Sequence, residues 1–422
     1  MPLHRLQIYK IIFLCLFVLF CIIGGKKLLL SLRKTGICDK CNIVLIVIDP
    51  LRADELSCYG YKLETTPNLC TFADKNIRYT NTFSQSSWTL PSVVSLFTSQ
   101  FPSQHTMFSP DTDVLAAQTT TLPMALQTAG YQTVFIGPVA DPAHHIPLDK
   151  GLGRGFDTIL PFTSFSDASE SIRTLMKQDQ KKPLFVFIHS FELRNNSIKT
   201  APSKFPLDPT YRYGYIDHYL NSVTLQTKDS AANIASYRRI YDERLRQIDI
   251  QLGTLLQTIQ TISPKNTIIT ITSDHGEEFG EHGQSTHGVN LYPPTTHIPL
   301  IMSIPNTQNA ISNILTQSID ITPTLLSLTG IPLPHSVHGR IIYPFWNNAN
   351  TVLISQLEPQ KRLVAVRTTL WSYHFDPTSP KSQKSGKLYN RTTDPRELNN
   401  VASQYPKVIE TLLSEYAKRL TL

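Results

Sequence analysis

Short, almost uninterrupted apolar runs recur along the chain. They lie at residues 42–49 (NIVLIVID), 133–137, 184–190, 267–274 and 298–304. Such runs are typical of strands that are buried on both faces of a parallel sheet. Helical patterns separate them, and strands that alternate with helices predict an α/β fold with a mostly parallel central sheet.

The clearest helical pattern lies between residues 237 and 262. Apolar side chains recur there at steps of three or four residues, namely Tyr237, Tyr241, Leu245, Ile248, Leu252, Leu255, Ile259 and Ile262. This spacing places them on one face of an amphipathic helix. We expect that face to pack on the sheet as core, and we assign it no chemistry.

After about residue 340 the pattern changes to short strands and one final helix near 404–420. We interpret this part as a small C-terminal α+β subdomain. The predicted division is an N-terminal segment at 1–35, a main domain at 36–340 and the subdomain at 341–422.

Residues 11–25 (IIFLCLFVLFCIIGG) carry no charge, and Lys10 and Lys26 bracket them. Their length lies between that of a signal-peptide core and the roughly 20 residues of a spanning helix. Because no small-residue cleavage site follows, we predict an uncleaved, single-pass membrane anchor. The flanking positive charges alone would keep the main domain in the cytoplasm. Long domains often cross the membrane whatever the number of flanking positive charges, and we expect the main domain to be extracytoplasmic.

Composition narrows the function classes. With 422 residues and 41% hydrophobic positions, the chain can bury a large core, which excludes a disordered protein. The net charge of +7 suits an anionic ligand or membrane surface, and without clustered basic runs it does not indicate nucleic acid. Six cysteines exclude a disulfide-dense scaffold. Cys38 and Cys41 form a C-x-x-C, interpreted as a local disulfide or two free thiols.

Two of the predicted strands end in carboxylates, Asp49 and Asp274. In open α/β sheets, ligands bind beyond the carboxyl ends of the strands. Two carboxylates that meet there repel each other unless a cation or proton lies between them. His275 follows Asp274, and together they offer a hard and a borderline ligand to one divalent ion. The stretch 273–288 (SDHGEEFGEHGQSTHG) contains three histidines and four acidic residues.

The third candidate segment is residues 87–102 (SWTLPSVVSLFTSQFP). Pro91 and the apolar residues after it predict a helix that begins near Leu90, with Thr89 at its N-cap. A hydroxyl there faces the positive end of the helix dipole, which favours a bound anion. Metal coordination can activate a threonine hydroxyl as a nucleophile. The alternative is an ordinary helix cap.

Together these segments resemble the sulfatase family within the alkaline-phosphatase superfamily. The matching stretches follow the family's order and cover nearly all of residues 42–420. They are 42–61, 65–69, 87–102, 130–133 with 155–157, 273–299, 319–332 and 388–399. The resemblance implies an alkaline-phosphatase-like α/β fold and hydrolysis of sulfate or phosphate esters.

The resemblance also implies roles for individual residues. Asp49, Asp274 and His275 would bind a divalent metal ion, with Thr89 as a further ligand. The Thr89 hydroxyl would attack the sulfur or phosphorus centre in line, while the ion polarises the non-bridging oxygens.

Several positions depart from the family pattern. Formylglycine-dependent sulfatases carry C-x-P-x-R where this chain reads Thr89-Leu90-Pro91-Ser92-Val93. Threonine cannot become formylglycine, and this favours phosphate esters, phosphodiesters or group transfer, or an unusual sulfatase.

The metal site departs as well. Pro50 stands where the family has a second Asp, and His275 stands where it has Asn. An imidazole in place of an oxygen ligand moves the preference from Ca²⁺ towards Zn²⁺ or Mn²⁺. A second ion is possible.

Three further side chains are candidates for substrate contacts. Arg194 can hold an anion through its guanidinium fork. His287 falls where many sulfatases place a substrate-binding Lys, and we predict an anion contact or general acid there. His282 is predicted to contact substrate, or to support the metal site from outside.

Other polar side chains in these segments are predicted to be structural. The histidines interpreted as surface or locally bonded residues are His105, His144 and His145. The acids interpreted as a charged turn are Glu277, Glu278 and Glu281.

Three hypotheses follow. The first is a metal-dependent hydrolase of an anionic small-molecule, glycan or lipid ester. The second is a membrane-anchored transferase that moves a phosphorylated head group. The third is a pseudoenzyme that binds anions without turnover, since the arginine of C-x-P-x-R is absent.

Overall fold

The computed structural model describes residues 37–139, 145–177, 182–194, 231–263, 266–344, 352–357, 362–378 and 385–420. The predicted anchor at residues 11–25 lies outside these ranges. Among the helices within them, none is long and apolar enough to cross a membrane.

The described strands form two sheets. The strands of the main sheet are β1 (Asn42–Ile48), β2 (Ile77–Phe83), β3 (Gln132–Gly137), β4 (Thr158–Pro161), β5 (Leu184–Ser190), β6 (Thr267–Thr272), β7 (His297–Ser303), β8 (Ala310–Ser312) and β9 (Thr316–Gln317). Their order is β4-β3-β5-β1-β6-β7-β2-β8, and β9 also pairs with β2. The second sheet has the order β10-β11-β12-β13, formed by Leu353–Leu357, Leu363–Arg367, Trp371–Phe375 and Lys387–Asn390.

Helices cover both faces of the main sheet and one side of the second. The described α-helices are α1 (Pro67–Asp74), α2 (Thr89–Thr98), α3 (Pro102–His105), α4 (Leu122–Thr128), α5 (Phe165–Lys177), α6 (Ala231–Ile262), α7 (Pro293–Thr296), α8 (Ile321–Leu328) and α9 (Pro406–Leu420).

The residues of β1 explain why this strand lies at the centre. Successive side chains of a strand point to opposite faces. Leu45 and Val47 accordingly belong to the apolar cluster that includes residues of α2 and α8. Val44 and Ile46 belong to the cluster on the other face, with residues of α5 and α6. A strand packed on both faces needs the unbroken apolar run seen in the sequence.

The topology brings three strand ends to one edge of the sheet. β1 lies between β5 and β6 and runs parallel to both. The segments that follow these strands therefore emerge side by side. β7 is antiparallel to β6 and β2, so the sheet is mixed but mostly parallel. The predicted α/β class with an alkaline-phosphatase-like layout is confirmed, including the small C-terminal antiparallel sheet.

The predicted amphipathic helix is present as α6 (Ala231–Ile262), a 32-residue helix. Its apolar stripe is buried in the core; Tyr241, Leu252 and Leu255 are at most 2% exposed. The length of α6 lets one rigid element run beneath the sheet and reach its carboxyl edge.

The second sheet is tied to the main one by hydrogen bonds from β10. The Gln356 amide donates to the Gln85 carbonyl at 2.7 Å, and the Ser355 hydroxyl donates to the Ser84 carbonyl at 2.6 Å. Position 340 as the subdomain boundary stays a prediction. Cys38 pairs with Cys41, one of the two states expected for that C-x-x-C, and a second disulfide joins Cys58 to Cys70.

Candidate active site

The ends of β1 and β6 carry the two predicted carboxylates. Asp49 directly follows β1, and Asp274 lies two residues beyond β6. The Ser273 hydroxyl accepts from the Leu51 amide at 2.9 Å and lies 2.6 Å from the Ile48 carbonyl, which links the two strand ends. Asp49 and Asp274 are fully buried beside each other, as the sequence predicted.

His275 is held so that one ring nitrogen faces the carboxylates. Its Nδ1 lies 2.9 Å from the Gly276 carbonyl, which only accepts, so Nδ1 carries the proton. Nε2 lies 3.2 Å from Asp49 Oδ1. A glycine is required next, because a Cβ at Gly276 would lie 2.1 Å from the Pro294 carbonyl oxygen. Burial lowers the pKa of His275, and the nearby Asp274 and Asp49 carboxylates oppose that shift only in part.

The donor set fits a divalent ion. One ligand atom from each of Asp49, Asp274 and His275 lies within 4.8 Å of the others, and all three side chains are buried. Asp49 Oδ1 and Asp274 Oδ2 accept no hydrogen bond from the described residues. Burial alone raises the pKa of Asp274, but His275, His189 and Arg194 outweigh it and hold that pKa well below its usual range. A buried carboxylate with unused lone pairs is an expected metal ligand.

Thr89 lies against this cluster. Its hydroxyl donates to Asp49 Oδ2 at 3.1 Å and lies 3.2 Å from His275 Nε2. The predicted N-cap position was wrong: α2 begins at Thr89 itself and Trp88 is the capping residue, because the Trp88 carbonyl accepts the first helical bond, from the Ser92 amide. The Thr89 hydroxyl is thus free to face the cluster instead of capping the helix.

Arg194 brings a positive charge to the same hydroxyl. It lies four residues after β5, the strand beside β1. One guanidinium nitrogen, Nη2, donates to Thr89 Oγ1 at 2.6 Å, and Nε lies 3.0 Å from Asp49 Oδ2. The guanidinium also lies 5.0 Å above the Phe191 ring, within cation–π range. This places the predicted anion-binding arginine at the hydroxyl that would attack.

His287 completes the group. Its ring centroid lies 4.5 Å from that of His275, and its Nε2 is 3.2 Å from Arg194 Nη2. Its Nδ1 lies 3.1 Å from both carboxylate oxygens of Glu277. The structure therefore brings Thr89 and His287 to the same guanidinium nitrogen.

His282 lies elsewhere. Its Nε2 lies 2.9 Å from the Arg396 carbonyl, and its ring stacks on Tyr292 with centroids 3.8 Å apart. Its described contacts do not include Thr89 or the three proposed ligands. It lines a cavity of about 460 Å³ together with His374 and Lys387. Its predicted substrate contact stays a prediction, at a distance from the reacting group.

The interpretation of the acids as a charged turn was wrong for Glu277 and Glu278. They are 5% and 0% exposed, since the segment folds inward. The Tyr237 hydroxyl donates to Glu277 Oε2 at 3.0 Å, so a residue assigned only to the core also reaches the site. Burial raises the pKa of Glu277, but His287 outweighs it and the net shift is downward. Glu281 forms an ion pair with Arg52 at 2.8 Å.

Four other histidines were interpreted as structural or missed by sequence reasoning. His105 is structural, as predicted: it is buried beside Ser95 Oγ at 3.0 Å, and burial lowers its pKa to about 3. His145 packs edge-on against Phe191, and His144 lies outside the described residues. No sequence pattern pointed to His189, a buried β5 residue whose Nε2 lies 3.6 Å from Asp274 Oδ2.

Comparison with known proteins identifies relatives for nearly the whole chain. The family model described as "Sulfatase" matches residues 41–331, and "N-sulphoglucosamine sulphohydrolase, C-terminal" matches residues 280–421. Arylsulfatase K from Canis lupus familiaris is 30% identical over 233 residues, which cover 50% of this chain and 42% of that protein. The chain thus matches less than half the length of that relative.

Longer matches extend the likeness to both sheets. N-acetylglucosamine-6-O-sulfatase from Bacteroides thetaiotaomicron is 23% identical, covering 90% of this chain and 84% of the relative. The solved phosphonate monoester hydrolase of Agrobacterium radiobacter superposes with a TM-score of 0.73 at 20% identity, over 90% of this chain and 96% of that one. A protein solved in complex with its substrate D-glucosamine-2-N,6-O-disulfate superposes with a TM-score of 0.69 at 21% identity. The match covers 90% of this chain and 98% of that one. The chain belongs to the sulfatase family.

Proposed function

We propose that the chain hydrolyses sulfate or phosphate esters, with Thr89 as a metal-activated nucleophile. The observation that carries the proposal is the position of the Thr89 hydroxyl. It lies 3.1 Å from Asp49 Oδ2, 3.2 Å from His275 Nε2 and 2.6 Å from Arg194 Nη2. An isolated helix-start threonine has no reason to have two metal-ligand side chains and a guanidinium as neighbours.

Asp49, Asp274 and His275 would hold the ion, with Thr89 Oγ1 as a further ligand. When bound, such an ion lowers the pKa of the hydroxyl and neutralises charge on the transferring group. The neutral imidazole favours Zn²⁺ or Mn²⁺ over Ca²⁺, because Ca²⁺ prefers oxygen ligands. A second ion is not required by this set of residues.

The side chains account for the remaining steps. The Thr89 hydroxyl already donates to Asp49, so its proton has an acceptor in place. The Thr89 oxygen forms a bond to sulfur or phosphorus as the ester oxygen leaves. His287, protonated on both ring nitrogens, donates its Nε2 proton to that oxygen, and Arg194 neutralises the non-bridging oxygens. A water molecule then releases the covalently held group from Thr89, with His287 taking the proton back.

The substrate is proposed to be an anionic ester of a small molecule, glycan or lipid. Threonine in place of a formylglycine-forming cysteine favours phosphate esters, since a threonine sulfate cannot expel sulfate as an aldehyde hydrate does. The same residue suits transfer to an acceptor alcohol, which is the second candidate. The predicted N-terminal segment would hold the site at a membrane surface, outside the cytoplasm.

The direct test replaces Thr89. Thr89→Ala is expected to abolish turnover of 4-nitrophenyl sulfate, phosphate, phosphodiester and phosphonate substrates, whichever of them the wild type cleaves. Bound metal, measured by elemental analysis, is expected to persist, because three ligands remain. Thr89→Ser, which keeps a hydroxyl, is expected to retain part of the activity.

The matched control is Thr98→Ala at the other end of α2, where the hydroxyl donates to the Val94 carbonyl and accepts from the Gln100 amide. Its turnover is expected to stay near that of the wild type. Undiminished turnover by Thr89→Ala would remove Thr89 from the mechanism. Transfer to an added alcohol, detected by product analysis without competing hydrolysis, would favour the transferase.

A further inference from the structure

We propose that Glu277 is the positioning residue for His287, and that Tyr237 on α6 holds Glu277 in turn. The inference rests on the proposed function, in which His287 protonates the leaving oxygen. It extends that function to two residues away from the reacting group. The relay runs from α6 through Glu277 and His287 to the space beside Thr89.

The contact between Glu277 and His287 determines which nitrogen faces the site. Both Glu277 oxygens lie 3.1 Å from His287 Nδ1. An ionised carboxylate only accepts hydrogen bonds, so Nδ1 carries a proton. Nε2 then points the other way, to within 3.2 Å of Arg194 Nη2, the nitrogen that bonds Thr89. Without the carboxylate, the ring would lose this preference.

Glu277 is itself held from the opposite side. The Tyr237 hydroxyl donates to Glu277 Oε2 at 3.0 Å. The Tyr237 ring packs edge-on against Phe279, with centroids 5.1 Å apart, and the residue is 6% exposed. Because α6 is anchored along its length by its buried stripe, it supports Glu277 rigidly.

The chain offers a matched control in the next residue. Glu278 is also buried, and its Oε1 lies 3.3 Å from Nδ1 of another histidine, His282. It also bonds the Asn290 amide group. None of these contacts reaches Thr89 or the proposed metal ligands. Glu277→Gln and Glu278→Gln therefore make the same chemical change in the same segment.

The first experiment compares esters with good and poor leaving groups. A proton donor matters most for an alkyl ester and least for a 4-nitrophenyl ester, whose leaving oxygen is stable without a proton. Glu277→Gln is expected to lower kcat about 100-fold on the alkyl ester and only a few-fold on the nitrophenyl ester. Glu278→Gln is expected to change kcat on the alkyl ester and kcat on the nitrophenyl ester by the same factor. Equal losses on both esters for Glu277→Gln would overturn the proposal.

A double-mutant cycle separates positioning from general support of the fold. If Glu277 acts only through His287, adding Glu277→Gln to His287→Ala removes nothing further. We expect the double variant to match His287→Ala within about 2-fold on the alkyl ester. A double variant whose fold-loss in kcat equals the product of the two single losses would show that Glu277 acts independently of His287. That result would overturn the relay.

A spectroscopic readout does not depend on turnover. In ¹⁵N-histidine-labelled protein, the ring nitrogen shifts report which nitrogen of His287 carries the proton. In the neutral ring of the wild type we expect the proton on Nδ1, which leaves Nε2 as the nitrogen that gives up and takes back the catalytic proton. In Glu277→Gln, the Tyr237 hydroxyl retains the side-chain oxygen and the new amide group faces Nδ1. In the neutral ring of this variant the proton is therefore expected to lie on Nε2, which then no longer exchanges the catalytic proton readily.

Circular dichroism identifies any variant that fails to fold, and Tyr237→Phe then takes the place of Glu277→Gln. It removes one hydroxyl, and a mixture of His287 tautomers is expected. An unchanged His287 spectrum in a folded Glu277→Gln would overturn the proposal. A wild type that cleaves no ester but shows the predicted spectra would instead refute the proposed function alone.

Discussion

The Thr89 hydroxyl has three polar neighbours within 3.2 Å, and Arg194 is the shortest contact at 2.6 Å. Arginine differs from lysine here because its planar fork reaches two partners at once. Arg194 uses Nη2 for Thr89 and Nε for Asp49 Oδ2. An ammonium presents its donors from one point and lacks this rigid two-ended geometry. At this scale, the guanidinium is the positive charge nearest the proposed nucleophile among the described residues.

Arg194→Lys is therefore expected to lower kcat/KM about 10- to 100-fold, because the charge remains but the fork is lost. The measurement is steady-state kinetics on the best 4-nitrophenyl substrate. The control is Arg173→Lys on α5, where the exposed side chain forms a surface pair with Glu170. Wild-type kinetics for Arg194→Lys would show that charge alone is sufficient.

Packing of whole elements explains one departure from the family pattern. Val93 lies on α2 one turn after Thr89, where C-x-P-x-R places arginine, and it is fully buried in the apolar cluster against β1. No charge can lie there without a partner. The positive charge at the proposed nucleophile comes instead from the segment that follows β5. The helix thus supplies the hydroxyl, and a neighbouring strand supplies the cation.

The second sheet depends on a buried ionic group. Glu397 accepts from Arg367 Nε at 3.4 Å and lies 2.7 Å from His374 Nε2. Arg367 also bonds the Leu291 carbonyl, which belongs to the segment before α7. This group joins β11 and β12 to the main sheet. Burial raises the pKa of Glu397, but Arg367 and His374 outweigh it and lower the pKa to about 2.

Glu397→Gln is expected to reduce the free energy of unfolding by about 3 kcal/mol at pH 7, since it leaves Arg367 buried without its counter-charge. A carboxyl pKa lowered from 4.5 to about 2 stabilises the fold above pH 4.5, and this is lost as the pH falls towards 2. The difference in free energy of unfolding between wild type and variant should therefore shrink as the pH falls from 4.5 towards 2. Urea unfolding at several pH values measures it.

The control is Glu415→Gln on α9, where the carboxylate pairs with Lys418 on the surface. Exposed pairs contribute about 0–1 kcal/mol, so little change is expected. A Glu397→Gln protein as stable as the wild type would contradict the interpretation of the buried group.

At the scale of the whole molecule, the site joins distant parts of the chain. Asp49 and Asp274 are 225 residues apart, and Arg194 and His287 come from two further segments. Any ion held by Asp49, Asp274 and His275 therefore links β1 to β6 at the centre of the main sheet. Binding at such a place is coupled to global stability, because the unfolded chain cannot form the site.

Removing metal with a chelator is accordingly expected to lower the thermal midpoint, and Mn²⁺ is expected to restore it. An ion at 100 times its Kd adds about 2.7 kcal/mol of stability. Differential scanning calorimetry provides the measurement. Asp274→Asn is expected to abolish the response, and Asp113→Asn, in a loop outside the site, to leave it intact. No shift in the wild type would argue against the ion.

The sequence by itself determined the strands, the stripe of α6 and most of the residues that meet at the candidate site. These follow from local patterns: continuous apolar runs, steps of three and four, and polar residues at strand ends. Only the tertiary structure decided that Glu277 is buried against Tyr237 and that His282 lies apart from Thr89. Burial depends on which surface covers a segment, and composition gives no account of that. An acid-rich stretch therefore predicts a solvated turn until a helix is placed against it.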